Sequence, residues 1–89
     1  MNELCAECAA LPARLHVSIW TPNGSTTITP ASYAGPLPRE LLARFVTIAC
    51  SGELGRRAMD LRCPACGAEY SYAEDYEYYA DEEQTLSRR

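Results

Sequence analysis

Five cysteines occur in this 89-residue chain, and four of them form two pairs of identical spacing, Cys5-Ala6-Glu7-Cys8 and Cys63-Pro64-Ala65-Cys66. A two-residue spacer is short enough to aim both sulfurs of a pair at one metal ion. Two such loops brought together complete a tetrahedral shell. Structural zinc is commonly held by four thiolates, whereas catalytic zinc keeps one position open for water or substrate. The expected cofactor is therefore one structural Zn2+ on Cys5, Cys8, Cys63 and Cys66, in a protein that is not a metalloenzyme. An odd cysteine count with this spacing reads as metal binding in a reducing compartment, where disulfides do not persist. Disulfides, an iron site and unpaired thiols remain open as alternatives.

Cys63-Pro64-Ala65-Cys66-Gly67 is the sharper half of the constellation. Pro64 pre-sets a turn, and Gly67 supplies the positive φ with which the chain turns away. This segment resembles the zinc knuckle of zinc-ribbon and rubredoxin-like proteins, whose pattern is Cys-Pro-x-Cys-Gly. The resemblance implies a β-hairpin carrying the knuckle. Cys5-Ala6-Glu7-Cys8-Ala9 shares the spacing but lacks both Pro and Gly, and the 54 residues between Cys8 and Cys63 lie outside the resemblance. Cys-Pro-x-Cys also occurs in thioredoxin-like redox motifs, but there it opens a helix within a βαβ unit. Here Gly67 follows at once, and no βαβ pattern surrounds it.

A second concentration of chemistry lies near the C-terminus. Tyr70, Tyr72, Tyr76, Tyr78 and Tyr79 are interleaved with Glu74, Asp75 and Glu77. Tyrosine is favoured at protein interfaces, and carboxylates around it complement a basic partner. These eight residues are the expected partner-binding set. A plainer reading has some of the rings supplying core while the acids face water. His16, the sole histidine, is either a replacement ligand or a polar residue on the outer face of a strand. Cys50 reads as a small buried residue.

Elements must position these groups. Leu15, Val17 and Ile19 alternate with His16, Ser18 and Trp20, the period of a half-buried strand. Thr21-Pro22-Asn23-Gly24 marks a turn, and Ser25–Thr29 reads as the returning strand. From Pro38 to Cys50 the residues Leu41, Leu42, Phe45, Ile48 and Ala49 recur at helical intervals. Pro38 and Glu40 suit the first turn of such a helix, and Gly52 its end. Strands over 56–62 and 69–72 flank the knuckle. Residues 73–89 fit either helix or strand. The expected fold is a small α+β, zinc-ribbon-like domain over 1–89, with β-hairpins and one central helix, and with 69–89 as its acidic, Tyr-rich segment.

Charge and length bound the function. Residues 69–89 carry seven acids against two arginines, and the whole chain has a formal charge of −4. A nucleic-acid binder normally presents a basic face, so nucleic acid is not the expected partner. The alternative, a zinc-ribbon accessory to nucleic acid or transcription, would rest on Arg56, Arg57 and Arg62 beside the knuckle. No apolar run is long enough for a bilayer, and no basic flank or apolar stretch marks a signal peptide. Arginine supplies every basic charge, the usage of a GC-rich, bacterial genome. A cytoplasmic protein-binding module is expected, such as an immunity- or antitoxin-like inhibitor or an accessory subunit. Its partner would be a basic protein, with no membrane and no small-molecule substrate involved.

Overall fold

The computed structural model describes residues 4–20, 24–53, 55–77 and 81–89. Cys5 leads into a five-residue helix α1 (Ala6–Ala10), and strands β1 (Arg14–Trp20) and β2 (Ser25–Thr29) follow. Next come a single helical turn α2 (Pro38–Leu41), a 3-10 turn over Leu42–Arg44, and β3 (Val46–Ser51). Strands β4 (Ala58–Arg62), β5 (Glu69–Glu77) and β6 (Asp81–Arg88) complete the chain. All six strands join one antiparallel sheet in the order β2-β1-β6-β5-β4-β3.

Strands β3 to β6 form a meander, and β1 adds to its free edge by pairing with β6. The connection from β2 to β3 must therefore cross from one sheet edge to the other. It does so over one face, carrying α2, whose Pro38 and Leu41 are buried. Register explains the core on that face. Leu15 lies opposite Leu86, Leu86 opposite Tyr72, and Tyr72 opposite Met59. Tyr70 and Leu61 are paired neighbours in the same layer, and the Phe45 ring packs on Tyr70 at 5.0 Å between centroids.

The other face has no cover among the described residues. The molecule is only 18 Å deep along its shortest axis, room for the sheet and one further layer at the usual ~10 Å spacing. The open face carries His16, Ser18, Trp20, Glu83, Thr85 and Asp75 toward one end and Ser71, Ala73, Ala58 and Asp60 toward the other.

The paired strands of the expected N-terminal hairpin are present, its turn over 21–23 lying outside the described residues, and so is the hairpin flanking the knuckle. The expected central helix over 38–50 is not. Helix geometry begins at Pro38 as expected but ends at Leu41, and Val46–Ser51 is an edge strand on β4. Val46, Thr47 and Ile48 form a β-branched run that packs poorly on a helix and well on a pleated sheet. Cys50 accordingly sits exposed on β3 opposite Met59, not buried on a helix. Gly52 has φ of 85° and turns β3 toward β4, and a Cβ there would strike the Arg56 carbonyl. Within 73–89, residues 73–77 and 81–88 are strand. The architecture is thus a six-stranded antiparallel sheet with short helical segments, larger than a ribbon of hairpins. Among the described residues no helix is long and apolar enough to cross a membrane.

Candidate metal centre and candidate docking face

The four paired cysteines converge at one end of the core layer. Cys5 precedes α1 and Cys8 lies within it, where the Ala9 N–H donates to the Cys5 carbonyl at 2.8 Å. Arg88 of β6 reaches back to this turn, with Nη1 3.4 Å from the Cys8 carbonyl oxygen. The second pair sits on the β4–β5 turn. The Gly67 N–H donates to the Cys63 carbonyl and the Cys63 N–H to the Ala68 carbonyl, both at 2.8 Å, and Gly67 takes the expected positive φ of 77°.

The four Sγ atoms all lie within 4.8 Å of one another, and those of Cys5 and Cys63 are 3.7 Å apart. A tetrahedron with Zn–S bonds of ~2.3 Å has edges of ~3.8 Å, so the donor set fits a four-coordinate metal. The 3.7 Å separation is far beyond the ~2.05 Å of a disulfide bond.

The sulfurs differ in surroundings. Backbone N–H groups of Cys5 and Ala68 donate to Cys66, holding its thiol down at about 6. Burial pushes the Cys8 thiol up to about 12, against the opposing effect of the Tyr70 hydroxyl. A cation held there would deprotonate a coordinating thiol outright and would offset the cost of burying charge at Cys8. The Tyr70 hydroxyl is itself fully enclosed without a satisfied hydrogen bond, and its polar neighbours are the Cys8 sulfur and the Arg88 guanidinium. A thiol accepts hydrogen bonds weakly; a metal-bound thiolate would give this hydroxyl a charged acceptor.

His16 lies outside the cluster. Its Nδ1 is 2.9 Å from Thr85 Oγ1 and its Nε2 3.5 Å from Glu83, both on the open face. Cys50 is likewise outside it.

The eight residues expected to bind a partner do not form one surface. Tyr70 and Tyr72 are core residues, 0% and 1% exposed, because their slots in β5 point toward the covering layer. Glu74 follows them inward. Its carboxylate accepts from Gly55 N–H at 2.6 Å, Tyr72 Oη at 2.8 Å and both Arg57 Nε and Nη2 at 3.1 Å. Burial alone would push the Glu74 carboxyl up, but these donors together hold it below its ordinary value. Tyr76 is half-buried; its hydroxyl accepts from Arg39 Nη1 at 2.7 Å, and the same guanidinium lies over the ring. Asp75 is exposed, and Glu77 ends β5 opposite Asp81. Tyr78 and Tyr79 lie outside the described residues.

The open face brings forward a residue that the sequence reading passed over. Trp20 is 42% exposed and lies opposite Asp81, diagonal to Glu83. Asp75 and Glu83 are cross-strand partners, two carboxylates directly opposed on the same face. Beside them Ala49, Ser51, Ala58, Ser71 and Ala73 leave a hollow of roughly 330 Å³. The signal for Trp20 was a large apolar ring in a polar slot of an otherwise regular alternation. Each arginine near the knuckle faces a carboxylate: Arg57 with Glu74, Arg62 with Glu69 at 3.4 Å, and Arg56 with Asp75 at 3.8 Å.

The chain matches no protein-family model, no curated protein and no solved structure.

Proposed function

We propose that this chain is a small, non-catalytic protein-binding module of the zinc-ribbon-like kind. One structural Zn2+ on Cys5, Cys8, Cys63 and Cys66 fixes its N-terminus, and its open sheet face docks on a basic protein. An immunity- or antitoxin-like inhibitor, or an accessory subunit of a cytoplasmic assembly, fits this description. The observation that carries the docking reading is the exposed Trp20 beside the directly opposed carboxylates of Asp75 and Glu83. Opposed like charges cost stability in a sheet, and a cationic partner turns that cost into attraction. Tryptophan is the side chain most enriched at binding hot spots, and the ring stands where a partner approaching the acids would meet it. Zinc contributes by anchoring the chain segment that enters β1, the strand that presents Trp20.

The test is capture from the native source with the full chain, beside Trp20→Ala and Asp75→Asn/Glu83→Gln. A basic protein retained stoichiometrically by wild type, and lost from both variants, is the expected result. Retention unchanged in both variants, or the absence of any stoichiometric partner, would refute the docking reading. The nucleic-acid alternative has a weaker basis: Arg57 is committed to the buried Glu74 carboxylate, which leaves only Arg56 and Arg62 exposed beside the knuckle.

A further inference from the structure

Strand β3 is an edge of the sheet, and all six of its residues are exposed. Native edges are usually blunted by charge, proline or a covering element, because a free edge templates pairing with another chain. Val46-Thr47-Ile48-Ala49-Cys50-Ser51 contains neither charge nor proline. Of the four large hydrophobic residues exposed among the described residues, Val46 at 53% and Ile48 at 47% both lie here. Strand β2, at the other edge, presents only serine and threonine beside the half-buried Ile28.

We infer that two copies of this chain pair antiparallel along β3, about a two-fold axis through Ile48–Ala49, to form one continuous twelve-stranded sheet. The irregularity in β3 makes this register possible. Thr47 pairs with Leu61 and Ala49 with Asp60, so Ile48 is an extra residue in the strand. Without it, a two-fold between residues 48 and 49 would set side chains of opposite faces against each other, because alternation has period two. The extra residue shifts the alternation once. Thr47 and Cys50 then share the core side, opposite Leu61 and Met59, while Val46 and Ser51 share the open side, opposite Arg62 and Ala58. The two-fold thus matches Thr47 with Cys50 of the second copy, and Val46 with Ser51, each on a common face.

The flanks agree. Arg44 precedes the strand at one end and Glu53 follows it at the other. Neither makes a salt bridge among the described residues, and the same two-fold brings each Arg44 end against the Glu53 end of the second copy. Pairing of β3 with β2 of another molecule would instead be heterologous and would give rings or open filaments rather than a two-fold dimer.

Sedimentation equilibrium of the metal-loaded full chain over a concentration series tests the inference, with circular dichroism to confirm that each variant folds. Wild type is expected to associate reversibly to a dimer and no further. Arg44→Glu should weaken the dimer by about tenfold, as loss of two exposed ion pairs implies. Arg44→Glu/Glu53→Arg should restore it, and Ile48→Lys should leave a monomer. A wild type that stays monomeric throughout, one that grows beyond a dimer, or a dimer indifferent to Arg44→Glu and Ile48→Lys would overturn it. Should Ile48→Lys fail to fold, the charge reversal and its rescue decide alone.

Discussion

Tyr70 encloses a hydroxyl with no satisfied hydrogen bond, beside the buried sulfur of Cys8. Ring and hydroxyl have separable roles here. The ring packs against Phe45 and Leu61, so Tyr70→Phe should keep the core intact. If the hydroxyl serves a thiolate at Cys8, its loss is an outer-shell change, and such changes cost about 10- to 100-fold in metal affinity. Competition against a chromophoric chelator should show at least the lower figure; unchanged affinity would detach the hydroxyl from the sulfur. Glu74 offers a second test. Its side chain has no exposed surface and sits 3.1 Å from Arg57 Nε. Glu74→Gln should cost about 3 kcal/mol, because a fully buried carboxylate loses its charge-assisted bonds from Arg57, Gly55 and Tyr72. By melting temperature that is roughly 12–24 °C for a domain of this size. The sign with pH follows from the lowered carboxyl. Its contribution is whole above the unfolded value near 4.5 and is lost as pH falls through the depressed folded value. The variant should therefore unfold less steeply in acid than wild type.

The β5–β6 hairpin holds Asp75 opposite Glu83 with side chains 56% and 48% exposed. Asp75 also lies 3.8 Å from Arg56, itself 73% exposed, and a pair so open to solvent contributes little. Asp75→Asn should therefore raise stability slightly, by about 0.5 kcal/mol, as expected for relief of a like-charge cross-strand pair. Urea unfolding at low salt would show it, and a drop of similar size would mean that Arg56 outweighs Glu83. Legibility in the sequence also divides by element. The β1–β2 hairpin was readable because Leu15, Val17 and Ile19 keep strict alternation. The knuckle was readable because Gly67 and Pro64 act locally. Strand β3 was not, because its extra residue at Ile48 breaks the period of two, while Ile48 also falls at helical intervals from Leu41, Leu42 and Phe45 ahead of the strand. Helix α1 has only five residues, too few to display any period. In β5 the strand was readable only over 69–72, and Glu74 was expected among the partner-facing acids rather than in an inward slot. Its partner Arg57 is 17 residues away, and only the fold brings them together.

At the scale of the molecule, the cysteines close a long loop and the sheet closes around it. Cys8 and Cys63 are separated by 54 residues that include β1, β2, the crossover and β3. Strand β1 also meets β6 directly through seven register pairs from Arg14 to Trp20. The sheet thus has a tie of its own between the two halves of the chain, independent of the metal. A domain of 89 residues is small enough that its core alone gives a thin margin. Two regimes follow. With zinc at a hundredfold excess over its dissociation constant, binding to the folded state should add about 2.7 kcal/mol. In melting temperature that is roughly 11–22 °C, and it should disappear in both Cys5→Ser and Cys63→Ser. Hydrogen exchange of chelated protein separates the two ties. If β1–β6 pairing carries the halves, amides of α1 and of the knuckle exchange early, while those of Val17 and Leu86 stay protected. Uniform early exchange across β1 and β6 would instead mean that the metal organises the whole sheet. Metal-saturated wild type that melts no higher than chelated wild type would remove the centre from any structural role.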